Sequence, residues 1–143
     1  MEPEEDTAAL AAQELIVSYS RMRRRIREFA SDLTPSQTSV LSRLSKEGES
    51  SLSLLAQAER VRPQSMAATL SALDERGLIA RRPDPDDGRR QLINLSGTGE
   101  NYVRDYRKAR DEWLARMLRE HATEAEIADL REALLLIERI TRV

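Results

Sequence analysis

Residues 78–96, LIARRPDPDDGRRQLINLS, limit the possible folds more than any other stretch of the chain. Two short β-prone runs, 78–82 and 91–95, flank a turn loaded with Asp, Gly and Arg. Pro83, Pro85 and Gly88 exclude a helix and a continuous central strand, so the stretch reads as an exposed two-stranded ribbon. The second run alternates polar and apolar at period two, but Leu92 and Leu95 do not share parity, so the alternation fails at its end. Asp87, Gly88, Arg89 and Arg90 form the tip.

The elements before the ribbon follow from helical periodicity and caps. A first helix is expected over about 7–29, with Leu15, Tyr19, Met22, Ile26 and Phe29 at spacings of four, three, four and three, a stripe that must be buried. Ser31 and Asp32 break it. Thr34 then caps a second helix, with Pro35 at its first position and Gln37 closing a capping box, and this helix ends near Gly48. A short third helix is expected after Ser53, with Leu54, Leu55 and Ala58 available for burial. It stops where Pro63 forces Arg62 out of helical conformation. Pro63 opens the fourth helix, with Met66, Leu70 and Leu73 inward, Gln64, Ala68, Ser71 and Glu75 outward, and Gly77 as the stop.

After the ribbon, Ser96, Gly97 and Thr98 begin a long helix to about Glu120. Thr123 and Glu126 repeat the capping box, and Ile127, Leu130, Leu134 and Ile137 run at helical spacing. Leu135, Leu136 and Ile140 widen the apolar surface of this last helix beyond what one small core hides, which implies a second chain over it. The fold class is therefore mainly α with a small β-hairpin wing: a winged helix-turn-helix over 34–96, with dimerisation helices over 7–30 and 97–143, in one domain over 1–143.

Length and composition narrow the function. At 143 residues without a cysteine, the chain fits a single domain with no disulfide framework and no thiol chemistry, as suits a cytoplasmic protein. The acidic lead, residues 1–6, is unlike a signal peptide. The apolar clusters 15–17 and 133–137 fall far short of the ~20 residues of a membrane span. A net charge of −2 argues against coating nucleic acid by bulk charge, although arginines outnumber acids between Arg60 and Arg90.

Catalytic and metal readings find no support. No glycine-rich phosphate loop, nucleophile elbow or triad is present. Counted from Asp84, Gly88 is fifth and Leu95 twelfth, which breaks the calcium-loop pattern that Asp84, Asp86 and Asp87 suggest. His121 is the single histidine and reads as a helix-end residue. No cofactor and no metal are expected.

The string RGLIARRPDPDDGRR at 76–90 and SGTG at 96–99 resemble the MarR family of winged-helix transcriptional regulators over nearly the whole chain. The resemblance implies a homodimer with interlocked terminal helices, through Leu15, Ile127, Leu130, Leu134 and Ile137. Each recognition helix enters a major groove of double-stranded DNA, and each wing reaches the neighbouring minor groove. A two-fold dimer of this kind reads a pseudo-palindrome with half-sites ~10 bp apart.

On the recognition helix, Gln64 suits adenine N6 and N7, Ser65 suits either base, and Ala67 or Ala68 suits a thymine methyl. The bland reading makes Gln64 and Ser65 solvation and caps. By the same resemblance Arg89 lies in the minor groove with Asp87 pairing with it and aiming it, Arg90 and Arg82 meet phosphates, and Arg62 borders the interface. Thr34, Ser36 and Gln37 open a helix over the DNA backbone, where capping explains them equally well. The sequence departs from the family pattern at Ala68, where many members carry a basic residue, and at Arg60 and Arg62, in a turn that often holds Gly and a good N-cap.

Family members also hold small aromatic or anionic effectors between the long helices and the DNA-binding unit, which makes Tyr19, Arg23, Arg27, Tyr102, Tyr106 and Trp113 the pocket candidates. The bland reading of these rings is core packing, and that of the arginine run 21–27 is a solvated face. The expected function is a homodimeric repressor relieved by such an effector. The rival is a helical dimer that kept the winged fold but recruits another protein.

Overall fold

A computed structural model describes residues 6–30 and 32–142, without the side chain of Ala30. The first five residues of the acidic lead and Ser31, half of the expected helix break, lie outside these. The order is α1 (Thr7–Ala30), α2 (Pro35–Glu47), β1 (Ser50–Ser51), α3 (Leu52–Glu59), α4 (Pro63–Glu75), β2 (Ile79–Pro83), β3 (Gln91–Leu95), α5 (Gly97–His121) and α6 (Glu124–Thr141). Two compact units divide within α5, one up to Arg107 and one from Lys108.

The local signals act as expected. The Thr34 hydroxyl accepts from the Gln37 N–H at 3.2 Å, and the Gln37 side chain accepts from the Thr34 N–H at 3.1 Å. Thr123 and Glu126 make the same reciprocal pair at the start of α6. At the end of α4, Gly77 takes φ +68°. Its N–H donates to the Asp74 carbonyl and that of Leu78 to the Leu73 carbonyl. This double closure needs a left-handed residue, which glycine supplies without a Cβ penalty.

The wing contains a third strand. The sheet order is β1-β3-β2, antiparallel throughout. Ser50 pairs with Ile93 and Ser51 with Leu92 on one side of β3, while Arg81 lies opposite Ile93 on the other. β3 is therefore central, and its Ile93 is fully buried. Pro83 ends β2 on the sheet edge, where its missing N–H leaves no gap in the ladder.

That short strand corrects the reading of α3. Ser51, held in the sheet, accepts from the Leu54 N–H at 3.4 Å and caps a helix that starts at Leu52 rather than after Ser53. Leu55 and Ala56 face inward, whereas Leu54 and Ala58, expected in the core, lie outside it, Leu54 being 47% exposed. The helix ends at Glu59, before the proline, because Arg60 turns into the left-handed region at φ 56°.

The core belongs to the unit ending at Arg107. Val40, Leu41 and Leu44 of α2, Leu55 of α3, and Met66, Leu70 and Leu73 of α4 close over Ile79, Ile93 and Val103. Each fully buried large apolar side chain there contributes ~1.5–3 kcal/mol.

The stripe of α1 is not buried within one chain. Among its described side chains only Ile26 is even half-buried; Leu15 is 41% and Ile16 64% exposed. No side chain of α6 is buried, and Leu134 is 52% exposed. The periodicity identified the apolar face, but one chain alone does not cover it. No described helix is long and apolar enough to cross a membrane.

Candidate nucleic-acid interface

The outward face of α4 begins the site. Proline at its first turn fixes the helix start, and Met66, Leu70 and Leu73 anchor the opposite side in the core. This leaves Gln64, Ser65, Ala67 and Ala68 exposed. Arg62, the N-cap, is extended and makes no side-chain cap bond. The Ser65 backbone carbonyl accepts from the Thr69 hydroxyl at 3.1 Å, but neither the Gln64 nor the Ser65 side chain is engaged among the described residues. Neither residue serves as a cap here.

The turn between β2 and β3 is built by its acids. The Asp84 N–H donates to the Arg90 carbonyl at 2.9 Å and the Arg90 N–H to the Asp87 carbonyl at 3.0 Å. The Asp84 carboxylate accepts from the Asp86 N–H at 2.9 Å and pairs with Arg90 at 3.2 Å. Asp87 accepts the backbone N–H of Arg89 at 3.1 Å. Its expected pairing with the Arg89 guanidinium is therefore corrected: the carboxylate shapes the bend that carries Arg89 and does not hold its charge. These backbone duties account for Asp84 and Asp87, and no group of acids or histidine among the described residues is arranged for a metal ion. His121 closes α5, exposed.

Pairing sorts the arginines. Arg82 grips Glu49 with two bonds, at 2.8 and 2.6 Å, and this contact holds the Glu49 carboxyl below its ordinary range. Arg81 binds Asp74 at 2.6 Å and Arg76 binds Asp32 at 2.7 Å. Arg82 and Arg90, expected on phosphates, are thus engaged within the chain. Among the described residues, the guanidinium of Arg89 alone of the five arginines between Arg76 and Arg90 has no acidic partner.

At the start of α2, Thr34 and Gln37 spend their side chains on each other, as the capping reading held. Ser36 is exposed, with its hydroxyl unengaged among the described residues.

The effector candidates lie on two helices, α1 and α5. Tyr19, Arg23 and Arg27 are exposed on α1, Tyr106 is half-buried on α5, and Trp113 is half-buried on the part of α5 in the second unit. Tyr102 has a structural role that the sequence did not announce. Its hydroxyl donates to Asp32 at 2.9 Å, and the Arg76 guanidinium lies 5.7 Å from its ring centroid. Bonds from Arg76 first, then Tyr102, hold the Asp32 carboxyl below its ordinary range. Asp32 and Tyr102 are 70 positions apart, and no local pattern links them. A depression of ≈ 330 Å³ is lined by Arg43, Glu47, Ser50, Leu54, Gln57 and Ala58, and so contains none of the six candidates.

Comparison with known proteins gives a consistent answer. The profile of the MarR family matches residues 33–90. An HTH-type transcriptional regulator of Mycobacterium bovis is 39% identical over 115 residues, 79% of this chain and 80% of the relative. A crystal structure from Pseudomonas aeruginosa, described as a transcriptional regulator, has a TM-score of 0.82 at 33% identity, covering 99% of both chains. A mutant of Escherichia coli MarR in complex with operator DNA has a TM-score of 0.61 at 22% identity, covering 88% of this chain and 91% of that one. This last likeness concerns the fold.

Proposed function

Because this chain belongs to the MarR family of winged helix-turn-helix transcriptional regulators, we propose that it acts as a homodimeric repressor of a pseudo-palindromic operator, released by a small aromatic or anionic effector. The observation that carries the DNA-reading half is the sorting of arginines: Arg82 is spent on Glu49 and Arg90 on Asp84, which leaves Arg89 at the tip without an acidic partner among the described residues. Alongside it, α4 leaves Gln64 and Ser65 exposed and their side chains unengaged among the described residues.

In this reading α4 lies in the major groove. Gln64 meets an adenine edge, and Ala67 or Ala68 meets a thymine methyl. Arg89 enters the minor groove, where narrow A·T tracts concentrate negative potential. No Arg or Lys stands on the first two outward turns of α4 to hold guanine, so the half-sites are A·T-rich. Ser36 meets a phosphate at the start of α2. A second copy covers the apolar faces of α1 and α6, which sets the half-sites ~10 bp apart. An effector acts by preferring a dimer whose recognition helices are misplaced for DNA, with Tyr19, Arg23, Arg27, Tyr106 and Trp113 as candidate contacts.

Selection of bound sites from random duplexes, with sedimentation of the free protein, tests this. The expected result is a dimer that enriches an A·T-rich pseudo-palindrome. A monomer at micromolar concentration, or the absence of any enriched sequence, overturns it and favours a module that recruits another protein.

A further inference from the structure

Arg60 is the one described non-glycine residue with a positive φ, at φ 56° and ψ 43°. Such a backbone suits glycine or asparagine. The Arg60 side chain gives the fold nothing in return: it is exposed, and its guanidinium has no partner among the described residues. The acid beside it, Glu59, is already taken, by Arg43 at 2.9 Å and Ser39 at 2.8 Å. Two residues on, Arg62 is also exposed and unpaired among the described residues, and it fills the N-cap without capping. The turn joining α3 to α4 therefore presents two bare cations where helix termini favour glycine and a short polar residue.

We propose that Arg60 is a DNA-backbone contact, extending the interface beyond α4 and the wing to the turn between α3 and α4. The inference rests on the reading of α4 as the groove-entering helix. A side chain on this turn flanks that helix rather than lying on its outward face, so it meets phosphate and adds affinity without sequence information.

The test measures polarisation of two labelled duplexes across a salt series, one recovered by selection and one unrelated of equal length. The proteins are the wild type, Arg60→Gly and Arg60→Lys, each also melted thermally. Arg60→Gly relieves the left-handed backbone, so its melting temperature is expected to match or exceed that of the wild type. It should bind both duplexes roughly threefold to tenfold more weakly, by a common factor, and flatten the salt slope by about 0.9 per protomer. Arg60→Lys should keep most of the slope.

Wild-type affinity and slope in Arg60→Gly overturn the proposal. So does a loss confined to the selected duplex, which would make Arg60 a base reader. If the wild type does not prefer the selected duplex, the reading of α4 fails instead; the unrelated duplex still reports whether Arg60 touches phosphate.

Discussion

A Cβ on Gly99 would stand 1.9 Å from the carbonyl oxygen of Leu78, so the first turn of α5 lies flat against the backbone that leads from α4 into the wing. Ser96 ties the same junction. Its N–H donates to the Leu78 carbonyl at 3.1 Å, its hydroxyl donates to the Gly77 carbonyl, and its oxygen accepts from the Gly99 N–H at 2.9 Å. The end of α4, the root of β2 and the start of α5 therefore share one set of bonds.

Gly99→Ala cannot be absorbed by a side-chain movement, because the obstructing atoms are backbone. It should destabilise the protein by about 3 kcal/mol or more, seen as a large drop in melting temperature. A drop of under about 2 °C would show that the junction is slack.

Arg89 and Arg82 should separate on mutation although both are wing arginines. Arg89→Ala is expected to leave the melting temperature unchanged and to flatten the salt dependence of DNA binding. Arg82→Ala removes the two bonds to Glu49 and should make the wing more open to limited proteolysis. If instead Arg89→Ala melts early and binds DNA normally, the roles are reversed.

Acid should loosen the unit that ends at Arg107. Asp32, through Arg76 and then Tyr102, and Glu49, through Arg82, have folded carboxyl groups depressed below their unfolded values. Their contribution is therefore fully present above the ordinary carboxylate range near pH 4 and is lost as pH falls through the depressed values. The Asp32→Asn, Glu49→Gln pair should lower the melting temperature at neutral pH and shrink its further decline in acid. An unaltered acid limb would count against these contacts in solution.

Leu134→Lys places a charge on the apolar face of α6, where Leu134 is already 52% exposed in one chain. If that face is covered by a second copy, the variant should sediment as a monomer while the buried core of the other unit keeps its helical signal. DNA affinity should fall sharply with loss of the paired half-site contacts. A dimer of wild-type affinity would move the interface elsewhere.

What the sequence settled by itself is local. Thr34 with Gln37, Thr123 with Glu126, Pro35 and Pro63 at helix starts, Gly77 at a helix end and the Pro- and Gly-punctuated wing each act over a few residues. Caps and turns need no distant partner, which is why α2, α4, the hairpin and α6 are legible in the residues alone. The apolar stripes of α1 and α6 are legible too, because helical spacing shows in sequence, although their burial is not.

Only the tertiary structure decided what distant residues do to one another. Ser50 and Ser51 carry no β pattern and become a strand because β3 lies beside them, and that pairing turns Leu54 and Ala58 outward. Asp32 meets Arg76 and Tyr102, and Glu49 meets Arg82. Which arginines remain free for an anion follows from these pairings. These pairs join side chains far apart in the chain and close in space, so spacing in the sequence leaves no trace of them.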